Sequence, residues 1–237
     1  MNLPSFVSKA NMVSIMTGIK EQMVAKEEGK GLSSNDFTDE YKQMVDDLAY
    51  VPMAINSFTI KNPTQEMGAT VDTVELNWTL SKDPAELTLD GSPLEVTLRT
   101  TTLSGQNITA NKTFTLKAVG QREEEVTKTA SISFLRGVYW GVAASDAEIN
   151  SELILSFQKG LQGGRAKTFT VNAGAGQHIF YALPASYGAC NFNVGGFDGG
   201  FSKVSTFEFT NAQGHAENYD VYKSTNANLG NTTVKVS

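Results

Sequence analysis

From Ala54 onward the apolar residues of this 237-residue chain recur at about every second position, and that period constrains the fold more than any other feature. Ile55, Phe58 and Ile60 predict a first strand. Val71, Val74, Leu76, Trp78 and Leu80 predict a second, with Glu75, Asn77 and Thr79 alternating on its other face. Leu87 and Leu89 lead into Asp90-Gly91, a dipeptide suited to the left-handed conformation of a tight hairpin. Leu94, Val96 and Leu98 follow, then Phe114, Leu116 and Ala118, then Val126, Ala130, Ile132 and Phe134. About six or seven short strands in roughly 80 residues predict a small antiparallel sandwich with Trp78 in its core.

A second β-unit is expected beyond residue 136. Val138, Tyr139 and Trp140 open it, and strands are predicted at 169–171, 178–183, 192–194, 204–209, 219–222 and 232–236. Residues 149–161 fit both a helix, through Ile149, Leu153 and Phe157, and a strand, through Leu153, Leu155 and Phe157. Lys112–Gln121 and Lys167–Gln177 share the opening Lys-Thr-Phe-Thr, an internal echo that two related sandwiches or chance in threonine-rich strands would equally explain.

The first 52 residues have a different period. Met12, Met16, Ile19 and Met23, spaced 4, 3 and 4 apart, predict a helical assembly seam too short to be stable alone. A second helix is expected from Thr38, with Phe37, Tyr41, Met44, Val45 and Leu48 as its stripe and Pro52 as its stop. The expected fold class is mainly β: a helical extension (1–52) followed by two tandem antiparallel β-sandwich-type, Ig-like domains (53–136 and 137–237).

Charge narrows the function classes. The net charge of −6 is spread thinly, with 5 basic and 8 acidic residues in 1–52, 8 and 10 in 53–136, and 6 and 7 in 137–237. No basic stripe marks a nucleic-acid surface. No run of 18 apolar residues predicts membrane insertion, and Met1-Asn2-Leu3-Pro4 does not read as a signal peptide.

Candidate chemistry is sparse. His178 and His215, with Asp198 or Asp220 as a third ligand, are not at spacings that demand a metal. Cys190 lies in a β-context without a thiol-enzyme motif. Gly160–Gly164 and Gly195–Gly200 match no phosphate-binding loop and read as tight turns. Glu123-Glu124-Glu125 reads as a solvated hairpin tip. No catalytic residue, cofactor or metal is expected. Tyr187, in a Pro-Ala-Ser-Tyr-Gly turn, and Phe197, between two glycine pairs, are the candidate exposed binding aromatics; the other aromatics are expected in the core.

Three segments resemble tailed-bacteriophage proteins. Residues 29–48, GKGLSSNDFTDEYKQMVDDL, resemble a linker phrase of tail fibres. Residues 52–91 together with NKTFTLKAVG and KTASISF resemble the immunoglobulin-like domain of phage and bacterial surface proteins, with Trp78 at the buried strand tryptophan and without the cysteine pair of antibody domains. The glycine-punctuated aromatic run from His178 to Thr210, with residues 216–237, resembles a β-domain at the ends of phage fibre and baseplate proteins. This resemblance implies a non-enzymatic structural component of a virion, made in the host cytoplasm: a short fibre, baseplate or neck adaptor. Its implied partners are copies of itself, as a trimer, other virion proteins, and a host cell-surface glycan or protein. The alternative is a carbohydrate-binding module or enzyme accessory domain of a secreted protein.

Overall fold

The computed structural model describes Met16, Thr17, Ile19 and residues 39–237. The chain is mainly β with antiparallel sheets, as the alternation predicts. It divides into two compact units, Met1–Val51 and Pro52–Ser237.

In the first unit Met16, Thr17 and Ile19 have helical backbone, and Met16 is exposed. Met12 and Met23, the other seam positions, lie outside the described residues, as does Phe37. Helix α1 (Asp39–Ala49) opens with Asp39 and Glu40, where acidic charge complements the helix dipole. It stops short of Pro52 and contains no buried residue; Met44, Val45 and Leu48 of the expected stripe are exposed.

The second unit begins with β1 (Ile55–Ile60), β2 (Thr64–Glu66), β3 (Val74–Leu80), β4 (Glu86–Leu89), β5 (Ser92–Leu94), β6 (Thr100–Leu103), β7 (Lys112–Val119) and β8 (Glu125–Ala144). Strands β1-β3-β6 form one sheet, and β8-β7-β4-β5 belong to another. Phe58, Leu76, Trp78, Phe114, Leu116 and Ile132 fill a common core. Asp90 and Gly91 have φ of 48° and 80°, so the β4–β5 hairpin turns as its Asp-Gly dipeptide predicts. Two expectations shift. Val71 makes only an isolated bridge to Ile108, and Val96 and Leu98 fall outside the strands. Strand β6 carries three threonines and one leucine; it is an edge strand, so its fit needs no apolar alternation.

The rest of the unit comprises helix α2 (Ser151–Leu155), β9 (Gln158–Gln162), β10 (Lys167–Ala173), β11 (Gln177–Pro184), a 3₁₀ turn (Ala185–Tyr187), β12 (Phe192–Val194), β13 (Phe197–Asp198), β14 (Phe201–Thr210), β15 (Ala216–Ser224) and β16 (Gly230–Val236). The ambiguous segment 149–161 is thus a short helix followed by a strand. Asn150 Oδ1 caps α2 by accepting from Leu153 N at 2.9 Å.

Sheet β10-β16-β12-β13 faces the β14-β15-β11-β8 part of a nine-stranded sheet across a second core that includes Val138, Phe169, Tyr181, Phe192 and Val234. The far face of β14-β15-β11-β8 carries a third cluster around Tyr139, Phe180, Phe209 and Tyr219, packed with Ile154 of α2. Strand β11 is therefore buried on both faces, which is why Ile179–Leu183 is apolar without alternating.

The junction expected at 136/137 lies inside β8. This 20-residue strand pairs with β7 through Ile132 and with β11 from Tyr139 to Ala144. The echoed segments occupy different places: β7 is paired on both sides, whereas β10 is the edge of its sheet.

Candidate functional site

The glycine-flanked hairpin β12–β13 holds the most exposed large apolar side chain among the described residues, Phe197 at 81%. Val194 pairs with Phe197 across a two-residue loop, Gly195-Gly196, whose φ values of 57° and 95° favour glycine. Asn193 Nδ2 donates to Asp198 Oδ1 at 2.7 Å and fastens the two arms. A groove of about 720 Å³ borders the hairpin, lined among others by Phe192, Asn193, Asp198, Phe201 and Lys235. Phe192 and Phe201 stack at 4.2 Å with an 8° interplanar angle. Asn193 stands opposite Lys235 on one side and Asp198 on the other, so an ammonium, an amide and a carboxylate follow one another across three strands. Phe192 is buried in the second core with Phe201 over its face, so what a ligand can meet here is the polar row, suited to the hydroxyls of a polyhydroxylated ligand, and the exposed ring of Phe197 on the same hairpin.

Tyr187 is placed differently from the expectation. It is half-buried against the second core, and its hydroxyl donates to Gln162 O at 2.7 Å. Gly188 ends the 3₁₀ turn there with φ 80°. The sequence showed the turn but not the sheet it folds onto.

Cys190 is half-buried, and burial pushes its thiol up to about 11, so it is protonated at neutral pH and a poor nucleophile. His178 Nδ1 lies 2.7 Å from Ser224 O. Asp220 accepts from Lys203 and Thr206, and Asp198 is engaged by Asn193. Among the described residues no group of three or more His, Cys, Asp or Glu is placed to hold a metal ion.

A polar junction beside the middle of β8 was not legible in the sequence. Strand β2 runs parallel to β8 at Thr64–Glu66 and brings in Glu66, which is buried. Tyr139 Oη donates to Glu66 Oε1 at 3.1 Å, and Lys159 Nζ lies 2.8 Å from Oε2. Arg136 Nε bonds both oxygens of Glu217 at 3.0 and 2.9 Å. His215 Nε2 lies 3.5 Å from Glu217 Oε1, buried and without a hydrogen-bond partner among the described residues. Asn211 Nδ2 donates to Met67 O at 2.8 Å, tying the β14–β15 turn to the segment after β2. Each carboxylate faces a cation, which suits a fastening across the two cores. In the Glu123–Glu125 tip, Glu123 and Glu125 are exposed as expected, whereas Glu124 is half-buried: its Oε1 accepts from Met53 N at 3.1 Å and lies 3.4 Å from Lys82 Nζ.

No family model and no curated protein matches the sequence. Among solved structures the chain is similar to the N-terminal eight Ig domains of Down Syndrome Cell Adhesion Molecule, at 10% identity and TM-score 0.23, over 74% of this chain and 23% of that one. It is also similar to the alpha-L-rhamnosidase from Dictyoglumus thermophilum, at 10% identity and TM-score 0.24, over 77% of this chain and 24% of that one. The chain spans about a quarter of each, and at these scores the β-sandwich assignment rests on the sheet order and the cores themselves.

Proposed function

We propose that the chain is a non-enzymatic structural component of a tailed-phage virion, a short fibre, baseplate or neck appendage, with the β12–β13 hairpin as its contact toward a host-surface glycan. The observation that carries the contact is Phe197, held 81% exposed between glycine pairs beside a groove lined by Asn193, Asp198 and Lys235. A ring held out on a short, fastened hairpin is free to stack on the apolar face of a sugar. The appendage reading is supported by the resemblance of residues 29–48 and 178–237 to fibre and baseplate proteins. Assembly through Met12, Met16, Ile19 and Met23 into a trimer belongs to the same reading.

Gold-labelled antibody raised against the purified protein is expected to decorate the tails of virions that encode it. Recovery of the protein only as a free species, with bare virions, would overturn the reading. Phe197→Ala is expected to keep the melting temperature and to lower adsorption to host cells. The groove also favours a second reading, a carbohydrate-binding module of a secreted protein. Glycan binding by a protein absent from virions selects that reading.

A further inference from the structure

We infer that β14 is a docking edge for β14 of a second copy, paired antiparallel about a two-fold axis at Thr206. The inference does not rest on the virion reading. Strand β14 is terminal in its sheet and pairs only with β15. Its ten residues include exposed Lys203, Val204, Thr206 and Glu208.

The direction of its free amides follows from the turn beyond it. Asn211 N donates to His215 O, within the β14–β15 ladder, whereas Thr210 N donates away from it to Ser151 Oγ at 3.1 Å. Alternate residues of a strand send their amide and carbonyl to the same side. Glu208 and Thr206 therefore also turn theirs away from β15. Ser151 occupies the amide of Thr210, and no strand occupies those of Glu208 and Thr206 among the described residues.

The edge is complementary to itself. Lys203 is opposite Tyr222 and Thr206 is opposite Asp220, because Val204 is an extra residue, a bulge, between Lys203 and Ser205. The bulge puts Lys203 on the same face as Thr206 and Glu208; without it Lys203 and Glu208, five apart, would point to opposite faces. With Thr206 opposite its own copy, Ser205 meets Phe207 and Lys203 meets Glu208, once on each side of the axis. Two N–H to carbonyl bonds form at Thr206, and two opposite-charge pairs flank them. Asp220 braces the strand from behind, accepting from Thr206 Oγ1 at 2.6 Å and Lys203 Nζ at 3.1 Å. Lys203 has further donors for Glu208 of the other copy, and the Glu208 carboxylate has no hydrogen-bond or ion-pair partner among the described residues.

Directly opposed residues in a hydrogen-bonded antiparallel pair have Cα atoms about 5.5 Å apart, within the roughly 4.4–6.8 Å that a disulfide spans. In a Cys190→Ala background, Thr206→Cys is therefore expected to form a covalent dimer under mild copper-catalysed oxidation, and Ser202→Cys is not. Adding Glu208→Lys is expected to slow that cross-linking about tenfold by replacing attraction with repulsion on both sides of the axis. Absence of cross-linking at Thr206, equal cross-linking at Ser202, or indifference to Glu208→Lys overturns the inference. Should Thr206→Cys fail to fold, sedimentation of the parent against Glu208→Lys decides. The substitution must lose an association step that the parent shows.

Discussion

Trp78 lies 2% exposed in the first core, with Phe58 edge-on at 6.4 Å and its Nε1 donating to Leu98 O at 3.0 Å. Trp78→Ala removes the ring and its hydrogen bond together, and leaves a cavity between two sheets that cannot close without moving strands. The expected cost is about 3–5 kcal/mol, read from the denaturant midpoint. A midpoint unchanged from the parent would mean that the ring is not where the β1–β3 register puts it. Buried ionisable groups make the second prediction. Burial raises the Cys190 thiol from 9.0 to about 11 and pushes the phenols of Tyr139, Tyr181 and Tyr219 above their ordinary 10.0. The fold thus favours the protonated forms. Above pH 9 the folded state holds more protons than the unfolded one, so the stability these groups contribute is fully present below 9.0 and is lost as pH rises. Thermal unfolding is expected to show no pH dependence from these four groups near neutrality, where their contribution is constant, and a melting temperature that falls progressively above pH 9. A melting temperature that rose there would contradict the burial of these side chains.

At the scale of the element, the β12–β13 hairpin depends on conformations that only glycine adopts cheaply. Gly196 has φ of 95°, with nothing within 4 Å of where a Cβ would sit. Gly196→Val therefore meets no clash and acts through backbone strain alone, of order 1–3 kcal/mol. Because the hairpin is a short edge, that strain is expected to be relieved locally: Phe197 shifts and host-cell adsorption falls, while global melting changes by a few degrees at most. Amide exchange checks this, with faster exchange confined to residues 192–200. A loss of protection spread over β11 and β15 would show that the hairpin supports the second core.

Across the whole of Pro52–Ser237, β8 lends residues to both sandwiches: Ile132 and Phe134 to the first core, Val138 and Trp140 to the second. Neither core keeps its sheet if the strand leaves, and Glu66, Tyr139 and Lys159 fasten the middle of the strand from the side. Calorimetry of the protein is expected to show one cooperative transition for this unit, and Trp78→Ala is expected to lower that whole transition. Two resolved transitions, with only the lower one sensitive to Trp78→Ala, would mean that the cores unfold independently.

The alternation of apolar residues was enough to find β1, β3, β4, β7 and most strands of the second sandwich, because a strand with one buried face must write that face into every second residue. Asp90-Gly91 likewise announced its hairpin, and the glycines of Gly195–Gly200 announced a tight turn, since positive φ selects residue type directly. Burial of Trp78 followed from the same alternation. What the tertiary structure decided has no local signature. Short edge strands such as β2 and β6 are held by their neighbours, so their sequences need not alternate. Nothing near Glu66 announces Tyr139 and Lys159, which lie 73 and 93 residues away along the chain. Tyr187 stands in a turn whose composition suits the surface, yet the sheet beneath it captures the ring. The continuity of β8 through the expected domain boundary, and the bulge that aligns Lys203 with Glu208, depend on strand pairing, a property of two chain segments at once that neither segment encodes alone.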